Sequence, residues 1–571
     1  MKKKILLVEC MSTGVNYIED IIKRGFEPVI LEGHHVGPED GVALIRQERR
    51  QVREKLPKDI PIIDENPDYE AVLRQVKKFS PVHVVTGSEF GVPLTVRLAH
   101  DLGLPGNPLD RIDAMTQKDA MHEALRLAGI RYIRGHVVHS VEEAHRCYDE
   151  FGENGVVVKL TRGAGTQGLS MCDSREEMVE AVRKGLETTI QSVDEKSELL
   201  IQERIHGKEY IVNTVSCQGE HRMVSMWSYD KVRLPNGTNA YNYAENVIEL
   251  GIGHSRLIRY AFDVLDAIGI QYGPVHGEYM IDEKGPVLIE VNCRPMGGGL
   301  PRQFLDLLWG QHETDSALDA YIAPERFRRQ KHMPYRPLCK GAIKVFILPE
   351  DVTLDSAPVL QISRKLRSFY SGAFGRVGRE YTLLEQTSNL ETSGGYLYLL
   401  HKDEKVVQQD LKLLHLLEMQ FSQMLFNESS KISAKPKGET DITDIMKKMR
   451  FMGSTLVFSD TLQEVEGAIL VNRDTMRDSY DGFDQGILDL RDPASFADLE
   501  SIVQQILLFF RKIRRGGQIV VPDATYCHLP YGMDGIEILM KVAGLVIESP
   551  EPSSACVVVA SVPVSGHVHN D

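Results

Sequence analysis

Along the first hundred residues, short apolar runs alternate with amphipathic stretches. Ile5–Val8 is one such run; Ile18, Ile21 and Ile22 then follow at helical spacing and stop at Gly25. Pro28–Leu31, Ile60–Ile63 and Val82–Thr86 are further strand-like runs, and a helix is predicted near Tyr69–Lys78. Strands alternating with helices predict a parallel sheet covered on both faces, whose buried strands read as continuous apolar runs. The turn cluster Leu104-Pro105-Gly106-Asn107-Pro108 closes this region. From 109 to 330 the pattern changes to helices mixed with longer strands. A helix from about Val406 to Leu425 sets Leu411, Leu414, Leu417 and Phe421 on one face. Asn427–Thr440 is polar and reads as a linker.

Beyond the linker, Leu456–Phe458, Gly467–Val471, Gly486–Leu490, Gln518–Val521, Leu545–Glu548 and Cys556–Val562 are strand-like, with helices expected near Phe496–Lys512 and Asp534–Ala543. These patterns place the chain in the α/β and α+β classes and divide it into segments 1–108, 109–330, 331–426, 427–440 and 441–571. The 571 residues suffice for several hydrophobic cores at ~100–200 residues per domain.

Charge and cysteine usage narrow the function. Net charge is 66 − 81 = −15, which disfavours a nucleic-acid or anionic-membrane binder. The basic clusters Arg326–Arg329 and Arg511–Arg515 read as helix ends or loops. No apolar run reaches the roughly 18 residues of a membrane span. The apolar stretch after Lys4 ends at Glu9, too short for the core of a signal peptide. Eight cysteines are scattered without a CxxC pair, a pattern that suits reduced thiols in a cytoplasm.

Three segments carry candidate chemistry. Gly155–Leu169 holds a strand ending at Lys159, then Gly163, Gly165 and Gly168. Glycines let backbone N–H groups approach a phosphate, to which lysine adds charge; a plain glycine-rich hairpin fits the same residues. In Leu199–Asn213, strand-like residues run into Glu203-Arg204-Ile205, Gly207 turns the chain, and Glu209 opens another strand. That crossing segment suits an adenine ring and a ribose hydroxyl, or simply two strands with exposed charges. Third, Val275–Ile281 and Val287–Val291 flank a hairpin turn at Asp282–Gly285. Glu278 and Glu290 are then placed to face one another, with Asn292 and Arg294 following at strand spacing. Two carboxylates and an amide oxygen are hard ligands suited to Mg²⁺; an acidic hairpin with a solvent-facing row of charges fits the same residues. A neighbouring guanidinium suits a phosphorylated intermediate. Cys293 alternates to the opposite face and reads as core.

Together with Lys118 in TQKDAM, these segments resemble the ATP-grasp superfamily over about residues 1–425. The resemblance implies a pre-ATP-grasp Rossmann-like domain, then two lobes clasping ATP, with Lys118 and Lys159 at the phosphates. It implies Glu203 and Ile205 at the adenine, Glu209 at the ribose, and Mg²⁺ on Glu278, Glu290 and Asn292. The implied chemistry is ligation of small-molecule carboxylates and amines through an acyl phosphate, with ADP released. GPVHGEYMI, the segment Thr86–Gly91, LGLPGN and TSGGYLYLLH are similar to the L-amino-acid ligases, and that branch implies a homodimer. There His276 is implied at the substrate and, with Arg294, completes the catalytic set; Tyr229 and Lys231 sit where the branch shapes its pocket. The biotin carboxylases share the Glu…Glu-x-Asn-x-Arg row, although no biotin-attachment Met-Lys motif appears here. A non-catalytic ATP-binding scaffold is the third reading. Residues 484–562 resemble the late half of class I methyltransferases, with a turn of paired glycines at Gly516-Gly517 before a strand. The glycine loop that would bind S-adenosylmethionine is missing upstream, so this unit is expected to be a cofactor-free Rossmann-like domain.

Overall fold

The computed structural model describes residues 2–35, 39–161, 169–187, 198–233 and 239–348, parts of 352–426, and the six strands of a C-terminal sheet. The linker expected at 427–440 and the two C-terminal helices expected near Phe496–Lys512 and Asp534–Ala543 lie outside these residues. The chain forms two compact units that part after Ile343.

The first unit opens with β1 (Lys4–Val8), α1 (Asn16–Lys23), β2 (Glu27–Leu31), α2 (Glu39–Lys55), β3 (Ile62–Ile63), α3 (Tyr69–Phe79), β4 (His83–Thr86) and α4 (Val92–Asp101). The strands pair in parallel in the order β3-β2-β1-β4, as the alternating pattern predicts. Helix α2, rich in Arg and Glu, was not anticipated. The loops after β1 and β4 meet so closely that a Cβ at Gly14 would lie 2.2 Å from the carbonyl oxygen of Gly87. No larger residue fits there.

A short α5 (Ile112–Thr116) leads to a lobe of α6 (Lys118–Leu127), β5 (Gly135–Val138), α7 (Val141–Phe151), β6 (Val156–Leu160), β7 (Ser170–Cys172), α8 (Arg175–Leu186) and β8 (Leu199–Glu203). Its antiparallel sheet runs β5-β8-β6-β7, and α7 and α8 cover an apolar core of Val158, Ile201 and Met178.

A larger antiparallel sheet follows: β9 (Lys208–Cys217), β10 (Glu220–Arg233), β11 (Asn239–Asn246), then α9 (Ile252–Ile268), β12 (Tyr272–Asp282) and β13 (Gly285–Asn292). Its order is β13-β12-β9-β10-β11. Strand alternation, with a bulge between Leu288 and Glu290, sends Val212, Met226, Val275, Leu288, Val291 and Cys293 to one face, packed on α6 and α9. The opposite face carries the polar residues considered below. Helices α10 (Arg302–Trp309), α11 (Glu313–Ile322) and α12 (Pro324–Lys331) complete the unit, α11 joining this sheet to α1.

In the second unit, strands Phe369–Phe374 and Gly395–His401 pair, and the helix Glu404–Phe426 follows. The buried Lys344 ammonium meets Glu418 of that helix at 2.6 Å. In the C-terminal sheet four strands pair in parallel and the last two pairings are antiparallel, and five of the six strands lie within three residues of their expected places. One detail differs. Arg514-Arg515 and the paired glycines, expected as a helix end and a turn, belong to the strand Ile513–Pro522. The register slips there, with Phe483 opposite Ile513 but Gln485 opposite Gln518, so the extra residues are absorbed as a bulge.

A buried histidine ties the helices of the first unit. The ring of His312 reaches Asp20 Oδ2 at 2.9 Å and Asp306 Oδ1 at 2.7 Å. Burial opposes its charge, but the two carboxylates prevail and push it up to about 9. Such a group contributes fully below its unfolded value near 6.5 and loses its contribution as pH rises through about 9. The His312→Gln variant should be less stable than the parent at pH 6. Urea midpoints should then show the gap closing by pH 9.5; a constant gap would remove the ion-pair account.

Candidate active site

The hairpin of β12 and β13 turns at Glu283-Lys284, with Gly285 at a φ of 108° that favours glycine. Arg131 clamps the turn, bonding Asp282 at 2.6 and 2.7 Å. The resulting register sets Glu278 opposite Glu290 and His276 opposite Asn292, with a bulge after Glu278. Like charges directly opposite on neighbouring strands repel, so this pair needs cations.

Lys118, the first residue of α6, supplies one: its Nζ lies 2.9 Å from Glu290 Oε2. The other oxygen, Oε1, accepts from Asn292 Nδ2 at 3.2 Å. Burial would raise the Glu290 carboxyl, but Lys118 and Lys159 outweigh it and hold the group well below the usual carboxylate range. Lys159, near the end of β6, is buried beside Lys118. Burial first, then repulsion from Lys118, brings its ammonium down to about 8 against the pull of the carboxylates.

Further along the same face, Glu209 Oε1 and Oε2 accept from Lys231 Nζ at 2.8 and 2.6 Å. Burial raises the Glu209 carboxyl despite that lysine, and Glu278 adds to the rise. The Tyr229 and Tyr241 rings meet edge to face at 4.8 Å, and Lys231 Nζ lies 4.4 Å from the Tyr241 centroid. Burial lifts both phenols well above their ordinary value. His276 Nε2 faces Glu278 Oε1 at 3.2 Å. Arg294 reaches back to Glu89, just beyond β4, at 3.2 Å.

The structure therefore gathers Lys118, Lys159, Glu209, His276, Glu278, Glu290, Asn292 and Arg294 around one polar face. Glu203 stands at the end of β8 with its carboxylate engaged by the backbone N–H of Arg134, at 3.0 Å, and by its guanidinium. Its backbone N–H donates to the Arg134 carbonyl oxygen at 2.9 Å, and Ile205 follows in the short connection to β9. Gly163, Gly165 and Gly168 lie outside the described residues. Cys293 is core, as its alternation predicts. Three contributors escaped the sequence reading: Asn213 and Glu313, both buried, and Tyr241. Asn213 has a visible signal, an amide within the apolar run of β9; Glu313 and Tyr241 have none.

The donor set fits a hard cation. Glu278 and Glu290 offer carboxylate oxygens and Asn292 an amide oxygen, while Lys118 already places a positive charge on Glu290. Among the described residues no three His, Cys, Asp or Glu cluster to hold an ion. A metal here would therefore need phosphate oxygens as further ligands. No helix among the described residues is long and apolar enough to cross a membrane.

Residues 153–301 match the ATP-grasp domain model. The chain is 25% identical to dapdiamide A synthase of Enterobacter agglomerans over 358 residues, 62% of this chain and 82% of that protein. In fold it is similar to an L-amino acid ligase from Bacillus licheniformis, with TM-score 0.55 and 17% identity over 72% of this chain and 97% of the other. N5-carboxyaminoimidazole synthase from Aspergillus clavatus, in a structure with ADP, gives TM-score 0.52 and 12% identity over 72% and 98%. Adenine nucleotide binding gives the lysine pair a test. If Lys159 meets the phosphates, ADP affinity measured calorimetrically in EDTA should fall as pH rises through about 8, where that ammonium loses its charge. Lys159→Arg should keep the affinity level to pH 9. A flat wild-type profile would separate Lys159 from the phosphates.

Proposed function

We propose that this chain is an ATP-grasp enzyme that joins a carboxylate to an amine with ATP, and that both partners are amino acids or small peptides. The observation that carries the reading is the paired carboxylates Glu278 and Glu290 with Lys118, Asn292 and Arg294 around them. The similarity to dapdiamide A synthase and to the L-amino acid ligase fold supports the substrate class.

The chemistry runs in two displacements. A carboxylate oxygen of the first substrate attacks the γ-phosphorus of ATP and ADP leaves, which gives an acyl phosphate. The neutral amine of the second substrate then attacks the carbonyl carbon, phosphate leaves, and the amine gives up its proton. Lys118 and Lys159 would hold the phosphates and spread the charge of the transferring group. Glu209 would accept from the ribose, and the Glu203–Ile205 backbone would meet the adenine. Glu278, Glu290 and Asn292 would hold Mg²⁺, which would supply positive charge against the phosphates. Arg294 would stabilise the acyl phosphate, where a fork of N–H donors matches phosphate oxygens. His276 would orient the substrate. The protein contributes position and charge more than covalent chemistry.

The test is ADP release from Mg-ATP against pooled amino acids, with mass spectrometry of the products. We expect ADP together with a mass equal to two amino acids minus water. Glu290→Gln should lower that rate by about 100-fold or more with its melting temperature kept. ADP formed with bicarbonate and no amine would instead establish a carboxylase.

A further inference from the structure

Behind the carboxylates runs a polar row of which the proposed chemistry uses His276 and Asn292 and leaves Asn213 and Ser225 without a role. Strand β9 lies between β10 and β12, and the registers set Ser225, Asn213, His276 and Asn292 side by side across four strands. Asn213 is fully buried and sits in an apolar stretch of β9, IVNTVSC. An amide in that place must satisfy both its ends or lose stability.

It satisfies both, in a directed way. Asn213 Nδ2 donates to Ser225 Oγ at 2.9 Å and points at Met296 Sδ at 3.4 Å. Its Oδ1 faces His276 Nδ1 at 2.8 Å, so that ring nitrogen donates. The ring is thereby held in one rotation, with Nε2 3.2 Å from Glu278 Oε1, to which it donates when both ring nitrogens carry a proton. Met296 is itself anchored, its backbone N–H donating to the buried Glu313 carboxylate at 2.6 Å. Asn213 thus joins the middle of the sheet to the loop after Arg294 and, through His276, to one member of the carboxylate pair. Carboxylates that hold a metal are oriented by such partners, and losing one typically changes metal affinity by about 10–100-fold.

We propose that Asn213 is a positioning residue that acts through His276 on Glu278 and so sets the affinity of the Glu278–Glu290 pair for a divalent cation. The inference rests on the metal assignment of the proposed function, and the test separates the two. Mn²⁺ binding to the full chain with ADP is measured by electron paramagnetic resonance, beside ADP affinity in EDTA. Asn213→Leu should weaken Mn²⁺ by about 10–100-fold and leave metal-free ADP affinity unchanged, a split that general loosening of the fold would not give. His276→Ala should weaken it similarly, and the double variant should be no weaker than His276→Ala alone, because both act along one path. Should Asn213→Leu fail to fold, Asn213→Ser, too short to reach the ring, carries the same expectation. Glu290→Gln is the reference. If it loses Mn²⁺ while the Asn213 variants bind as the parent does, or if the double variant is additive, the Asn213 proposal is overturned alone. If Glu290→Gln binds Mn²⁺ like the parent, the metal assignment fails, and this proposal with it.

Discussion

Two carboxylates held face to face on neighbouring strands are the constraint around which the first unit is arranged. Glu278 and Glu290 repel one another in a partly buried place, and neither strand can turn away without exposing Val291 and Leu288 on its other side. The repulsion is met by cations and donors brought from elsewhere in the chain. Lys118 comes from the start of a helix, Lys159 from the other lobe, and Asn292 from one step along the same strand. The apolar face of the sheet, packed on α6 and α9, offsets what the polar face costs. A sheet with one face committed to a core leaves the register no freedom, because a one-residue slip would turn every carboxylate into that core.

Much of this was legible, for reasons that differ between elements. The strands of the N-terminal sheet are continuous apolar runs, which only a doubly covered sheet explains. The 278–290–292 row was legible only in outline: a two-residue turn alone would set Glu278 opposite Ile289, and the bulge after Glu278 brings Glu290 there instead. What stayed hidden depends on distance along the chain or on polar composition. Helix α2 hides because its face carries Arg49 and Arg53, which pair with Glu9, Glu32 and Asp64 instead of packing apolar side chains. Arg294 and Glu89 are 205 residues apart, and no local pattern joins them. The bulged strand Ile513–Pro522 was misread because Gly-Gly is a turn signal unless a bulge takes up the extra residues.

Glu9 shows how far polar organisation extends beyond the proposed chemistry. It is fully buried, takes the left-handed region at a φ of 58°, and accepts from Gly33, His35 and Arg49. A non-glycine residue in that region is strained unless its surroundings determine it. Here they do: a buried carboxylate with three donors cannot relax without losing its contacts to Gly33, His35 and Arg49 together. The crowded approach of Gly14 to Gly87 lies beside it. The loops after β1 and β4, and with them Glu89, are consequently held in one arrangement.

The cations of the polar face share a feature that bears on how it would work. Lys118 is paired with Glu290, Lys231 with Glu209, and Arg294 with Glu89. Charges stacked without partners at this burial would cost several kcal/mol each, and direct pairing with a carboxylate relieves that cost for these three. On the proposed reading, a nucleotide brings anionic phosphates for the lysines together with a cation for the carboxylates. The exchange replaces each partner by another of the same sign, so charge balance is kept while the contacts are rearranged. Positions set by strand register and helix ends then need little movement to change partners. That combination, a preformed geometry with exchangeable counter-charges, is what phosphoryl transfer asks of a protein that supplies position more than reactive groups.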